Sequence, residues 1–426
     1  MNKIFNKING VNGEIILVGD KSISHRAVIF SSMSSGTSSI KNLSQGEDVK
    51  STIKIMQQLG TKFTVEDEFM VVEGCGFKGF KTSGSDFDCG NSGTSARLIA
   101  GLLAAQNFKS TLIGDESLSK RPMKRVIEPL TRMGAQFNAT KNLTLPLTID
   151  PKPEIIPINY EMPLASAQVK SSVILAGLHC ESETKIIESV HTRNHTEKML
   201  GLPVQFEDGK IISTASKKYY PEPSEYFVPG DISTSAFHIV LTLLTPNSGL
   251  LIKNVSLNPT RTGFIEVLKQ MGANISFEDI RKSSNEEFGN VLVKSSSLKN
   301  ITINSQIIPN IIDEIPVLTI AGIFAEGDFL IENVKELRLK ESDRISSICL
   351  NLKQLGLIVD ERLNGFSVGG SIKYSRPIFE SYNDHRMAMS FAVLCMLMEH
   401  GGEVNGFECV KISNPQFEEQ IKSIVN

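Results

Sequence analysis

Six stretches of this chain follow one plan: a short polar or charged opening runs directly into an apolar segment of helical length. The openings are Asp20-Lys21-Ser22-Ile23-Ser24-His25-Arg26, Asn91-Ser92-Gly93-Thr94, Ser166-Ala167-Gln168, Asp231-Ile232-Ser233-Thr234, Asp313-Glu314 and Asp384-His385-Arg386. They lead into runs such as Val173-Ile174-Leu175-Ala176 and Phe237-His238-Ile239-Val240-Leu241. A turn and a strand follow (Gly36 to Leu43, Gly249 to Leu257, Gly327 to Val334). A second helix comes next and usually stops at Leu-Gly or Met-Gly: Gly60, Gly134, Gly201, Gly272 and Gly356. A repeat of about 70 residues exceeds the usual solenoid periods, so the pattern predicts a symmetric globular protein rather than an open array. Each opening stands where a helix begins, and the unpaired N–H groups there attract anions.

Within a repeat the expected order is strand, helix, strand, helix and hairpin, a βαβαββ unit. In the first, Ser22 to Ser35 is helical, Ser38 to Leu43 a strand and Val49 to Leu59 the second helix. Lys62 to Val65 and Phe69 to Val72 make the hairpin. Hairpins recur at Gln205 to Ser213 around Asp208-Gly209 and at Ile358 to Val368 around Asn364-Gly365, where Gly and Asn accept the positive φ of tight turns. The first helix of each unit is apolar on nearly every face, which predicts burial. Six units, three to a domain, give an α/β (α+β) protein of two domains, a number that the length of 426 residues also favours. Pro229-Gly230, within Tyr226 to Asp231, marks the boundary: residues 18–228 form one domain and 229–426 the other. The first residues could join either.

Bulk properties narrow the function. Lys and Arg number 44 against 47 Asp and Glu, a net charge of −3, which excludes a general nucleic-acid binder. No apolar run is long enough to span a bilayer, and Ile315 to Ala325 and Met387 to Met398 are expected as buried core helices. The N-terminal residues carry no signal-peptide core. Six cysteines (Cys75, Cys89, Cys180, Cys349, Cys395, Cys409) have no CxxC pair and no zinc spacing, so reduced thiols in a cytoplasmic protein are expected.

Several residues could carry chemistry. Lys21 and Arg26 can hold phosphate or carboxylate, and Ser22 can cap the helix or bond a ligand. Gly90-Asn91-Ser92-Gly93-Thr94-Ser95 lets a ligand approach the backbone, although such loops often only turn the chain; it lacks the Lys of a nucleotide P-loop. Ser119-Lys120-Arg121-Pro122-Met123-Lys124-Arg125 and Leu339-Lys340-Glu341-Ser342-Asp343-Arg344 open second helices, either as solvated charge or as anion sites. Lys340 and Arg344, four apart, share a helical face. Asp313 could cap its helix, or serve as a general base at a cationic site. Arg386 suits an anion clamp beside Asp384, which can cap and orient; His385 is either a proton-transfer group or a structural donor.

Taken in order, Gly19-Asp20-Lys21-Ser22-Ile23-Ser24-His25-Arg26-Ala27, Gly90-Asn91-Ser92-Gly93-Thr94, Lys340-Glu341-Ser342-Asp343-Arg344-Ile345 and Asn383-Asp384-His385-Arg386-Met387-Ala388 resemble the signatures of the EPSP synthase (3-phosphoshikimate 1-carboxyvinyltransferase) family. The resemblance spans almost the whole chain. It implies two domains of inverted α/β-barrel type with the active site in the cleft between them. It also implies that residues 1–17 cross over to join residues 229–426. The implied reaction moves the enolpyruvyl group of phosphoenolpyruvate to the 5-hydroxyl of shikimate 3-phosphate, with no metal or organic cofactor, in a cytoplasmic monomer.

Carried over by motif, Lys21, Ser22, Arg26, Ser166, Ala167, Gln168 and Arg193 bind shikimate 3-phosphate, together with Asp313 and Lys340. Lys21, Gly93, Arg121, Gln168, Arg344 and Arg386 surround phosphoenolpyruvate. Asp313 accepts the 5-hydroxyl proton, while Glu341 or Lys21 protonates the methylene carbon. Two departures stand out. Asn194 follows Arg193 where the family has Asp, and Lys411 lies three residues before Asn414-Pro415 rather than two before Phe-Pro. The rival family acting on UDP-N-acetylglucosamine carries a reactive Cys in the loop matching Gly114 to Pro122, and this chain has none there. A non-catalytic anion binder finds no support in a chain that keeps Asp313, Glu341 and Lys21. An RNA 3′-phosphate cyclase would want a catalytic His and a more basic surface.

Overall fold

The computed structural model describes residues 2–82, 84–151 and 154–425. Packing divides the chain into two compact units. An N-terminal unit comprises Gly19–Val228 with Lys282–Glu286, and a C-terminal unit comprises the stretch ending at Val18, Pro229–Arg281 and the chain from Glu287 onward.

The six polar openings do begin helices: α1 (Lys21–Met33), α2 (Gly93–Leu103), α3 (Ala167–Gly177), α4 (Ile232–Leu244), α5 (Ile315–Phe324) and α6 (His385–Leu397). Five are capped by the opening's own side chain. Asp20 accepts from Ile23 N at 2.9 Å, Ser92 from Ser95 N at 3.1 Å and Ser166 from Val169 N at 3.5 Å. Asp231 accepts from Ser233 N at 2.8 Å, and Asp384 from Arg386 N at 2.9 Å. Each such bond satisfies a helix-end donor and is worth about 1 kcal/mol. The fifth opening differs. Glu314, not Asp313, holds the cap position of α5 and makes no side-chain capping bond, with Pro316 in the first turn.

These helices are buried on nearly all sides, as their unpatterned apolarity predicts: α1 from Ile23 to Met33, α4 from Ile232 to Leu243, and α6 from His385 to Met396. Buried hydroxyls return their proton to the preceding turn, as Ser32 does to Val28 O and Ser390 to Arg386 O, both at 2.7 Å. The second helices end at Gly60, Gly134, Gly201, Gly272 and Gly356, all with positive φ, the conformation that makes glycine the natural helix terminator.

Among the described residues each unit contains three sheets. In the N-terminal unit the sheet order Phe87–Asp88, Ser110–Ile113, Leu147–Asp150, Gln136–Asn138 repeats as Asn159–Glu161, Thr184–Glu188, Lys210–Ala215, Val204–Glu207. The leading edge strand is parallel to its neighbour and the hairpin strands are antiparallel. The first repeat has the same order, but its leading strand is Glu225–Phe227, parallel to Thr37–Lys41. The strand that precedes α1 in the chain, Asn12–Ile16, lies instead in the C-terminal unit, parallel to Gly249–Lys253.

The C-terminal unit departs from the expected pattern in two repeats. In the fifth, the leading strand shrinks to an isolated bridge between Lys299 and Glu326, leaving three strands. In the sixth no hairpin follows α6 among the described residues; Lys3–Phe5 takes that position, antiparallel to Gly402–Asn405. A further correction concerns hairpin tips. Asp208 and Gly209 have positive φ, whereas Asn364 and Gly365 do not. Gly365 is needed for space: a Cβ there would lie 2.2 Å from Ile331 O on the neighbouring strand.

All six cysteines are unpaired, and five are buried. No single helix among the described residues is long and apolar enough to cross a membrane.

Candidate active site

In the N-terminal unit the cations of α1 are set by neighbouring helices. Lys21 Nζ lies 2.8 Å from the Asp48 carboxylate, on the helix Glu47–Gln58. Arg26 is buried, and its guanidinium is spread over three elements. It donates to Ser22 O one turn back (2.8 Å), to Ser171 Oγ on α3 (2.7 Å) and to Thr196 Oγ1 on the helix His195–Leu200 (2.7 Å). A hydroxyl orients a guanidinium without discharging it. Arg193 is half-buried in the segment just before that last helix, three residues from Thr196.

The opening of α2 forms a second group. A Cβ on Gly93 would lie 2.7 Å from an Arg97 terminal nitrogen and 3.5 Å from one of Arg121, so this position takes no larger residue without moving Arg97. Arg121 donates to Asn91 Oδ1 at 2.8 Å and to Ser117 Oγ at 3.2 Å. Gln168, at the start of α3, accepts from Arg97 at 2.6 Å and donates to Thr94 Oγ1 at 2.9 Å. Gly93 and Gln168 are therefore joined through Arg97, and Arg121 lies beside Gly93. Ser166 and Ala167 stand beside Gln168 at the α3 start, both half-buried.

A buried chain of hydroxyls ties α1 to α2. His25 Nδ1 bonds Thr52 Oγ1 at 2.7 Å, Thr52 bonds Ser95 Oγ at 2.8 Å, and Ser95 donates to Ser92 Oγ at 2.8 Å. Burial lowers the His25 pKa to about 3; Lys21 and Arg26 push the same way, and Asp48 opposes them. The ring is neutral at physiological pH, and its Nε2 has no hydrogen-bond partner.

In the C-terminal unit Asp313, Lys340, Glu341, Arg344 and Arg386, the residues carried over by motif, meet in one ion-pair cluster. The Asp313 carboxylate lies 3.3 Å from both Lys340 Nζ and Arg344, and 3.9 Å from Arg386. Arg386 also donates to Asp313 O at 2.9 Å and to the buried Glu314 at 3.2 Å. Arg344, only 1 % exposed, donates to both oxygens of Asp384 (2.7 and 3.2 Å) and to Glu341 at 2.7 Å. Burial alone would lower the pKa of Arg344. The carboxylates of Asp384, Glu341 and Asp313 override it and hold the pKa above the ordinary arginine value. Asp384 is fully buried, which raises its pKa, but Arg344 more than compensates and keeps it below the usual Asp value.

The capping explanation of Asp313 thus gives way to a carboxylate facing three cations, and Asp384 both caps α6 and anchors Arg344. Sequence reasoning missed Arg97, Asp48, Thr196 and Ser171. Arg97 had a legible signal, since it lies one helical turn beyond Gly93, as Arg26 does beyond Ser22. The other three are set by tertiary packing. Lys411 lies exposed in the short 3-10 turn Phe407–Ile412. The described residues hold no cluster of His, Cys, Asp and Glu suited to a metal ion.

Comparison with known proteins identifies the family. A sequence model of the family described as EPSP synthase (3-phosphoshikimate 1-carboxyvinyltransferase) matches residues 5–421. A 3-phosphoshikimate 1-carboxyvinyltransferase from Petrotoga mobilis is 46% identical over 420 residues, covering 97% of each chain. The solved EPSP synthase of Acinetobacter baumannii superposes with a TM-score of 0.86 at 37% identity, over 100% of this chain and 98% of that one. The enolpyruvyl transferase NikO from Streptomyces tendae shares the fold, with a TM-score of 0.77 at 13% identity over 99% of this chain and 97% of that one. The chain belongs to the EPSP synthase (3-phosphoshikimate 1-carboxyvinyltransferase) family.

Proposed function

We propose a division of labour among these residues for the family's reaction, which this chain carries out. The enolpyruvyl group of phosphoenolpyruvate passes to the 5-hydroxyl of shikimate 3-phosphate, giving 5-enolpyruvylshikimate 3-phosphate and phosphate. Lys21, Ser22, Arg26, Ser166, Ala167, Gln168 and Arg193 bind the phosphoshikimate. Lys21, Gln168, Gly93, Arg121, Arg344 and Arg386 bind phosphoenolpyruvate. Two polyanionic substrates repel each other, and Lys and Arg neutralise them so that they can be held together.

Asp313 takes the proton of the 5-hydroxyl as its oxygen attacks the substituted carbon of phosphoenolpyruvate, and Lys340 steadies the same substrate. The methylene carbon gains a proton from Glu341 or Lys21. Breaking of the carbon–oxygen bond then releases phosphate, and the methyl group gives a proton back. Glu341 is ion-paired with Arg344 at 2.7 Å, so this scheme requires the substrate carboxylate to take its place on Arg344 before Glu341 can act. The enzyme works on small molecules as a single chain in the cytoplasm.

The observation that carries this reading is the Asp313 carboxylate, relieved of capping and shared by Lys340 and Arg344 at 3.3 Å each. Phosphate release by the purified protein, with each substrate omitted in turn and Asp313→Ala as control, tests it. Release should require both phosphoenolpyruvate and shikimate 3-phosphate and vanish in the variant. Release with UDP-N-acetylglucosamine as acceptor, or undiminished release by the variant, would overturn it.

A further inference from the structure

Beneath the N-terminal unit's anion-binding openings lies an ion triad that the reaction scheme leaves unused. Lys170 is fully buried on α3, one turn in from Ser166. Its Nζ lies 2.7 Å from Glu188 Oε2 and 2.7 Å from Glu197 Oε1, with Thr192 O at 3.5 Å. Glu188 ends the strand Thr184–Glu188, and Glu197 sits in the first turn of the helix His195–Leu200. These two carboxylates stand at the two stems of the segment that carries Arg193. Further bonds close the network: Thr192 donates its hydroxyl to Glu188, and Ser213 Oγ donates to Glu197 at 3.3 Å. Thr196, between Asn194 and Glu197, holds Arg26 and bonds Ser171 Oγ at 2.7 Å.

Three buried charges are a poor way to stabilise a fold, because desolvation offsets most of their attraction. An apolar trio of similar size would serve stability as well. What the ions add is geometry, since only one placement of strand end and helix start satisfies Lys170 from both sides. We propose that Lys170, Glu188 and Glu197 are positioning residues for phosphoshikimate binding, fixing the Arg193 segment at both stems to the helix that presents Ser166 and Gln168. The proposal rests on the functional reading above.

The test is calorimetric binding of shikimate 3-phosphate to the full chain, with and without Arg193→Ala, in three backgrounds. These are the unaltered protein, Lys170→Met, and Lys170→Met/Glu197→Gln, which leaves one fewer stranded carboxylate if the single change prevents folding. In the unaltered protein Arg193→Ala should weaken binding about tenfold, and in the folded Lys170 backgrounds by less than about twofold, because a contact that is no longer positioned cannot be lost again. KM for phosphoenolpyruvate should stay within about twofold throughout. Full retention of the Arg193 effect in the Lys170 backgrounds would overturn the proposal, as would equal losses for both substrates. An unaltered protein that binds no shikimate 3-phosphate would overturn the functional reading and this inference with it.

Discussion

The two units position their cations by different means. In the N-terminal unit, hydroxyls, an amide and a backbone carbonyl orient Arg26 and Arg121. In the C-terminal unit, carboxylates hold Lys340, Arg344 and Arg386. A neutral partner fixes direction without sharing charge, whereas a carboxylate fixes direction and must be displaced or shared by an incoming anion. The first arrangement suits standing recognition of an anion. The second suits exchange, where substrate charge replaces protein charge and releases a carboxylate for proton transfer. Lys21 with Asp48, and the buried Lys170 with Glu188 and Glu197, show that the division is one of emphasis.

Four experiments sharpen or break this contrast. Asp313→Asn removes the proposed base while leaving three cations in place. Turnover should fall by about 10²- to 10⁴-fold in phosphate-release assays, with shikimate 3-phosphate affinity held or improved. Asp384→Asn removes one of three carboxylates around the buried Arg344, leaving Glu341 and Asp313, and should cost about 1.5–3 kcal/mol in urea unfolding. The folded pKa of Asp384 is depressed, so its contribution is present above the ordinary Asp value of 3.8 and fades as pH falls below it. The gap between this variant and the unaltered protein should therefore narrow in acid.

Acid also reaches the neutral histidines. His25 in one unit and His238 in the other have pKa values lowered by burial to about 3 and about 4. Unfolding raises both toward 6.5, so the unfolded chain binds more protons and stability falls as pH drops from about 6.5 to about 4. His25→Asn should flatten that slope by at most about 1.4 kcal/mol per pH unit, read from urea midpoints across the range. Thr196→Val removes one neutral partner of Arg26. It should raise KM for shikimate 3-phosphate about fivefold, the equivalent of one net hydrogen bond of about 1 kcal/mol. If Thr196→Val instead unfolds the protein as readily as Asp384→Asn, the contrast between the units fails.

Much of this was legible in the sequence because it is local. Caps such as Asp20, Ser92 and Asp231 act within three residues, and terminators such as Gly60 and Gly272 answer a backbone constraint. Asp208-Gly209 declares its own turn. Residues with no local job pointed to the site: Arg344 and Arg386 stand in the first turns of their helices, whereas Lys340 lies in extended backbone before Arg344 rather than on a shared helical face. What the residues alone did not show is non-local. Nothing near Asn12–Ile16 says that it leaves α1 and pairs with Gly249–Lys253, because a leading strand's propensity is the same in either sheet; only the family resemblance implied that crossover. Asn364-Gly365 carries a turn signature, yet the glycine answers a carbonyl on another strand. Lys170 reads as a charge inside an apolar helix, and its two partners lie 18 and 27 residues further along the chain.

The displaced opening strands have a consequence for how the molecule is made. Asn12–Ile16 waits roughly 230 residues for its partner, and Lys3–Phe5 roughly 400, whereas a hairpin closes at once. Closing a 400-residue loop costs about 2 kcal/mol more entropy than closing one of 40 residues. During synthesis the earliest strands to leave the ribosome are thus among the last to be paired, and until then they present open edges to other chains. A nonsense mutation ahead of Gly402 would leave Lys3–Phe5 without its ladder, so a lesion about 400 residues away would be felt there.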